Sequence, residues 1–423
     1  MAAQVVNLGK FGLSKTLGFL SDERPLRSFS NPYFTPWDDI NVELPELIAS
    51  HAIYDKVQQL PLLSSSELST ELEFRRAYVV LAFTIHGYIW SGSKDGQPLD
   101  QVPPQLAEPF LAVCESIGLR PVLSYAGLCL WNWSTCNRAD ESVQAGFPDL
   151  PQMQSISSFT GTRGEDAFYH VPVLNEAEGG PLVSLLLNAV AAPKAADAPF
   201  VTHALHDAAD AFVRMGTHLP KLHSVLDADM FYHILRPFFS AGSGMEDKGL
   251  PRGVVFQMRD GSQHNVKYVG GSAGQSALFQ FLDMVLGVEH QKPDNAKESF
   301  FEEMRAHMPG QHRDFLLLVS KLPPLREFVD ANMQDAALVD AFDSCVKQLR
   351  LWRGKHIAIV SKYIVRPARQ AAGNKASSST EQEMEDGRIR TGEEEELKGT
   401  AGSALIPFLR QTRDETAWVS RRS

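Results

Sequence analysis

The sequence predicts an all-α protein, and three observations carry that reading. Helical spacings recur from about residue 45 to residue 413, no alternating βαβ pattern interrupts them, and one long, well-bounded helix stands out near the C-terminus. That helix is predicted over Asp335–Arg366. Leu338, Phe342, Cys345, Leu349, Trp352, His356, Val360 and Tyr363 follow one another at three and four residues, so they share a face. Asp340, Asp343, Lys347, Arg350, Arg353 and Lys362 take the other faces. Asp335 is the expected N-cap and Pro367 the expected stop. His356 is the titratable member of an otherwise apolar stripe. Two readings fit it: a core histidine bonded to a carbonyl, or a ligand to a metal or haem iron.

The remaining elements follow in chain order. Residues 1–40 are irregular. Helices are expected at Pro45–Leu60 and, capped by Ser66, up to Trp90. The polar stretch Ser91–Pro104 reads as a linker, which sets off a small helical N-terminal domain (20–102) from a larger one (103–415). The larger domain opens with helices at Pro104–Ile117 and Val122–Trp133. A polar, Gly/Pro-punctuated stretch at 137–179 has room for short strands. Helices resume at Pro181–Ala191, Phe200–Leu219, Ala228–Ser240, Gln275–Leu286, Asn295–His307, Gln311–Leu322 and Leu325–Met333. Residues 368–400 are expected to be a mobile loop, with eight acids and three bases between Ser378 and Thr400. A short helix at 403–413 closes the chain.

Composition narrows the class. The chain has 423 residues, 43% apolar and 22% charged, as in an ordinary globular protein with room for two or three domains. A net charge of −11 argues against a nucleic-acid surface. Cys114, Cys129, Cys136 and Cys345 form no CxxC pair and fit reduced thiols in the cytoplasm. No apolar run reaches the ~20 residues of a membrane span. Lys10 and Lys15 precede the first acid, Asp22, but the Arg and Ser richness of a transit peptide is missing.

Several motifs bear on chemistry. Gly270-Gly271-Ser272-Ala273-Gly274 lacks the GK[ST] ending of a P-loop. It matches GxSxG formally, but the sheet that a nucleophile elbow needs is not apparent, even with a short strand at Val266–Val269. Glycine there admits close approach of a ligand, or merely a tight turn into a helix. His203, His206, Asp207 and Asp210 share a helix face, which fits a solvated surface better than a metal site. His312, beside Arg313 and Asp314, fits a surface or capping role. Arg236, within Phe231-Tyr232-His233-Ile234-Leu235-Arg236, needs an anionic partner if buried: an internal acid or a ligand carboxylate.

Taken together, Gly270 to Ser276, Met304-Arg305 through Met308-Pro309 to His312-Arg313-Asp314-Phe315-Leu316, and Lys355-His356 through Ile359-Val360-Ser361-Lys362-Tyr363-Ile364 resemble the indoleamine 2,3-dioxygenase family, in a fungal-like form. Lys398-Gly399-Thr400-Ala401-Gly402 is similar to the end of that family's mobile loop. The resemblance spans about residues 20–415. It implies a small helical domain packed on a large helical haem-binding domain, a haem b cofactor, and a cytoplasmic monomer that uses dioxygen and an external reductant. The implied reaction inserts both oxygen atoms across the indole C2–C3 bond of L-tryptophan, or a related indole, to give N-formylkynurenine, with no protein acid or base.

The resemblance also implies roles residue by residue. His356 would hold the iron and Arg353 a haem propionate. Arg236 would bind the substrate carboxylate and Phe231 would pack on the indole. Tyr125, Leu128 and Cys129 would line the indole pocket, and Gly271, Ser272 and Ala273 would form a backbone wall near substrate and dioxygen. Ser184 would be the distal serine, and Thr400 would close over the substrate. One departure is expected: the family's aromatic pair, just before the Leu-Val-Ser segment, falls on Gly180 and Pro181, a loss of packing of ~1–3 kcal/mol unless Phe159 or Phe168 fills the gap. That departure keeps a second reading open, a haem-binding relative that senses or buffers haem or oxygen and turns over tryptophan poorly. A helical interaction protein without haem is the third.

Overall fold

The computed structural model describes residues 6–93, 96–136, 147–191, 197–291, 299–379 and 405–421. Helices dominate. The first, α1 (Thr35–Ala49) and α2 (Ile53–Gln58), replace the single predicted helix at 45–60. His51 between them has φ 56°, a left-handed conformation that no continuing helix accepts. Then comes α3 (Glu71–Ser91), buried along most of its length. Its cap is Thr70, not Ser66. Thr70 and Glu73 form a capping box, while Ser66 lies in a 3₁₀ turn capped by Ser64. Next are β1 (Gln101–Val102) and α4 (Pro104–Ser116), which starts on a proline as a first turn permits.

The chain then forms β2 (Ser134–Thr135) and β3 (Met153–Gln154), an antiparallel pair. The largest difference from expectation follows. α5 runs unbroken from Arg163 to Val190, through Pro172, Gly179-Gly180 and Pro181, where sequence punctuation suggested a loop as far as residue 179. Thr162 caps it. Gly180 is there for packing. A Cβ on it would stand 2.4 Å from the backbone carbon of Leu17, so the N-terminal segment lies directly on this helix.

After α6 (Ala198–His218), β4 (Val254–Gln257) and β5 (Gln263–Val266) form a hairpin, and β1 joins β4 in parallel. The strand expected at 266–269 thus lies a few residues earlier. α7 (Ala277–Leu286), α8 (Phe300–Arg305), α9 (Gly310–Val319) and α10 (Leu325–Asp330) are shorter than their periodicity suggested. α11 (Ala336–Val360) is capped by Asp335, which accepts from the amides of Ala337 and Leu338, both at 3.1 Å. It packs on α6, which in turn packs on α5.

Pro367 does not stop the chain. A π-turn at Ser361–Val365 shifts the register, and α12 (Arg366–Ser379) continues directly from it through the proline. Residues 368–379 are therefore helical rather than loop. The rest of the predicted loop, with Thr400, lies outside the described residues. α13 (Leu405–Ala417) packs on α11. Among the described residues, no helix is long and apolar enough to cross a membrane.

Candidate functional site

A cavity of about 280 Å³ lies between α5, α7, α11 and α13. Three π-helical turns contribute to its wall: Ala126–Leu130, Met230–Leu235 and Ser361–Val365. Such turns place five residues where an α-helix would place four, and each re-aims side chains towards the space: Leu128 and Cys129, Phe231, Tyr363 and Ile364. Ten of the residues singled out in the sequence meet here: Tyr125, Leu128, Cys129, Phe231, Arg236, Gly271, Ser272, Ala273, Arg353 and His356.

His356 occupies the α11 wall. Among the described residues, neither imidazole nitrogen has a hydrogen-bond partner. The residue is half-buried, and its desolvation, followed by the nearby Arg353 charge, takes its pKa down to about 4. It is thus a neutral imidazole with a lone pair to offer at neutral pH. Among the described residues, no three His, Cys, Asp or Glu side chains converge as a metal site. A single imidazole facing an apolar cavity is the donor set of haem iron, whose porphyrin supplies the other nitrogens. The residues fit that group.

The wall opposite comes from α5. Phe168, Val171, Pro172 and Asn175 line the cavity, and Phe168 lies 4.7 Å from Phe231 and stacks on Phe239 at 5.4 Å. This corrects two expectations. Gly180 and Pro181 are not at the cavity: Gly180 meets Leu17, and Pro181 lines a separate surface groove with Glu178 and Arg214. Ser184 is also outside the lining, more than two turns beyond Asn175, because α5 is one helix that has left the cavity by then. An aromatic pair does stand at the cavity end of α5, Phe168-Tyr169. The third residue after that pair, the serine place, is Pro172. Phe159 is spent elsewhere, stacked between Phe83 and Phe238 at 4.6 and 4.5 Å.

The Gly-rich loop and the 122–130 segment are locked together. Gln275 accepts from the Tyr125 amide at 2.9 Å and donates to the Gly270 carbonyl at 2.8 Å. A Cβ on Gly271 would lie 2.5 Å from Leu128 Cδ1, so any larger residue here would displace the end of the Leu128 side chain. Ser272 caps the next turn, accepting from the Gly274 amide at 3.2 Å. Behind this wall, Glu176 Oε1 accepts from Tyr125 and Ser276 at 2.9 and 2.6 Å. Burial, against those two bonds, pushes the Glu176 carboxyl up to about 7. Burial and then the Glu176 charge raise the Cys129 thiol, so it is inert.

His86 of α3 fixes two further segments. Its Nδ1 donates to the Phe238 carbonyl at 2.7 Å, and its Nε2 accepts from the Leu123 amide at 3.2 Å. Burial lowers its pKa to about 4.

The cations differ. Arg236 lies over the Tyr232 ring at 5.4 Å on the cavity wall, and burial lowers its pKa. Arg353 is committed to protein: both carboxylate oxygens of Asp283 at 2.6 and 2.7 Å, the Thr412 carbonyl at 3.1 Å, and the Thr416 hydroxyl. A haem propionate would have to share it with Asp283. His290 extends this network, bonding Asp283 at 3.0 Å and Glu415 at 2.6 Å, which ties α13 to α7. Burial opposes charge on His290, but Asp283 outweighs it and the pKa is raised.

The other sequence candidates lie elsewhere. His203, His206 and Asp210 are exposed on α6, a solvated face as expected. His312 is not at the surface. It is buried against the edge of Phe19 at 5.1 Å, with its pKa lowered to about 3 by burial and Arg75.

The family model for indoleamine 2,3-dioxygenase matches residues 7–419. The chain belongs to the indoleamine 2,3-dioxygenase family. Relatives include an indoleamine 2,3-dioxygenase of Penicillium citrinum, 35% identical over 97% of this chain and 88% of its own length. A 6-hydroxytryptophan 2,3-dioxygenase of Fusarium equiseti is 34% identical over 97% of each chain. A myoglobin of Haliotis diversicolor is 32% identical over 97% of this chain and 98% of its own. Within this family member, sequence reasoning missed Asn175, Phe279, Asp283 and the α13 residues Phe408 and Thr412 as cavity lining. Asp283 was the findable one, as an acid on the apolar face of the expected helix Gln275–Leu286, whereas Asn175 fell in a stretch not read as helix.

Proposed function

We propose that the chain is a haem-dependent dioxygenase that cleaves the indole C2–C3 bond of L-tryptophan or a ring-substituted tryptophan. The observation that carries this reading is the neutral, unbonded imidazole of His356 facing an apolar cavity across from Phe168 and Phe231. Haem, held by His356, supplies the iron at which dioxygen is activated. The chain's residues do the rest by orientation and exclusion of water. Arg236 receives the substrate carboxylate, and its planar fork suits two-point contact. Phe231 and Phe168 form an aromatic wall for the indole. Leu128, Cys129 and Tyr125 close the pocket's rim, and Gly271 to Ala273 present backbone close to the reacting ring. Cys129 is held as a thiol and Tyr125 is bonded to a buried acid, and this reading gives none of the described residues a proton-transfer role.

The relative named for 6-hydroxytryptophan makes the ring substituent an open variable, so the assay uses both substrates. Purified protein supplied with haem and reductant is expected to form N-formylkynurenine from tryptophan, and Arg236→Ala to raise KM about tenfold or more, as loss of a charge-assisted bond does. An unchanged KM would remove Arg236 from the carboxylate role. The relative named as a myoglobin favours a second reading, a haem protein with little turnover. A haem spectrum without product in the same assay would select it. Cytoplasmic location, haem b as the porphyrin, a monomeric state and the division at residues 102 and 103 are part of this proposal.

A further inference from the structure

A ligating histidine is ordinarily oriented by a hydrogen bond from its second nitrogen to a carboxylate or carbonyl. His356 has no such partner among the described residues, so something else must fix its plane. One turn earlier on α11 stands Trp352, and the two rings stack at 5.6 Å with 19° between their planes. Trp352 is itself held by a second ring and by a hydrogen bond. Phe279 of α7 stacks on it at 4.1 Å. Its indole N–H donates to Asn175 Oδ1 at 2.9 Å, a bond buried within the protein. Asn175 is in turn fixed, since its amide donates to the Val171 carbonyl at 2.8 Å. The indole is therefore fixed by a stacked ring and by its polar atom, and it stacks on the imidazole in turn.

We infer that Trp352, clamped by Asn175, is a positioning residue that sets the plane of the His356 ring, taking the place of the usual hydrogen bond. The inference rests on His356 being the haem ligand. It adds that the wall carrying Phe168 and the wall carrying the ligand are mechanically joined, because Asn175 is the last residue of α5 to line the cavity. In this arrangement Trp352 has a duty beyond filling space. A leucine would fill part of the volume without holding a plane, whereas a phenylalanine would keep the stack and lose only the N–H.

The test uses full-length protein loaded with haem and reduced. Haem affinity and the iron–histidine stretching band in resonance Raman are read for the wild type, Trp352→Leu, Trp352→Phe and Asn175→Ala. Trp352→Leu is expected to shift or broaden the band and to weaken haem binding about tenfold, the usual effect of losing an orienting partner. Asn175→Ala is expected to broaden it less, and Trp352→Phe to keep it near the wild-type position. Thermal unfolding serves as the control. A variant that loses stability while keeping the wild-type band shows a merely structural role and overturns the inference. Should Trp352→Leu fail to fold, an unchanged band in Asn175→Ala together with a shifted band in Trp352→Phe overturns the clamp. Absence of a Soret band in the wild type, or an unaltered Soret band in His356→Ala, would instead sink the haem assignment.

Discussion

Two long helices face each other across the cavity, and they are built on opposite plans. α11 is regular, capped by Asp335, with one apolar stripe, and it presents a single imidazole free of protein hydrogen bonds. α5 holds two prolines and a Gly-Gly pair. Its buried Glu165 is heavily bonded: it accepts from the amides of Phe159 and Thr160, each at 2.7 Å, and from the hydroxyls of Thr160 and Tyr169 at 2.6 and 2.7 Å. The difference teaches which wall does what. A ligand needs rigid register and an unspent lone pair, which α11 supplies. A substrate wall needs shape, and α5 gives it by pinning its first turns with Glu165 and filling the space with Phe168.

The comparison can be broken most severely at His356. His356→Ala should abolish haem binding and turnover while leaving the fold intact, whereas Phe168→Ala across the cavity should keep the Soret band and raise KM. Equal loss of haem in both would erase the division of labour between the walls. Next in size is Glu165→Ala, which strands several buried donors and should destabilise by about 3 kcal/mol or more in chemical unfolding. A loss below ~1 kcal/mol would mean α5 does not depend on that anchor.

Glu176 sharpens the comparison through pH. Its folded pKa of about 7 lies above the ordinary 4.5. Its contribution is therefore complete below the unfolded value and is lost as pH rises through about 7, a fall on the order of a few kcal/mol. The buried histidines titrate in the same window with the opposite sign, so the readout is the difference between wild type and Glu176→Gln: the wild type should lose stability relative to the variant as pH rises through that window, and a difference that does not change with pH would contradict the burial of an ionisable acid there.

Asp335→Ala should cost about 1 kcal/mol, the usual value of a cap, without moving the haem spectrum. The smallest effect is expected at Pro181→Ala: at most about 1 kcal/mol in stability and no change in KM, because that residue faces a surface groove. A changed KM would return Pro181 to the pocket.

The same contrast explains what the sequence could be made to tell. α11 was legible because periodicity, cap and apolar stripe agree along its length. α5 was not, because Pro172, Gly179-Gly180 and Pro181 read as breakers, while tertiary contacts, including the approach of Leu17 to Gly180, hold the helix through them. That reading placed the expected aromatic pair and serine on Gly180, Pro181 and Ser184, beyond the part of α5 that lines the cavity. The three π-turns were also invisible, since a pattern with a period of 3.6 cannot announce one extra residue per turn. Family motifs nevertheless brought Arg236, Phe231, the 270–274 loop and His356 together, because their spacing in sequence does not depend on how the intervening helix is read.

The two bonds of His86 bear on how this protein can be divided. One imidazole from the segment before residue 103 holds the backbone of two cavity-forming segments after it, and neither nitrogen is left over. A chimera that exchanged the N-terminal segment for a relative's would carry that imidazole away from both of its partners. Any graft across residue 103 must therefore keep an imidazole at position 86 within reach of the Leu123 amide and the Phe238 carbonyl.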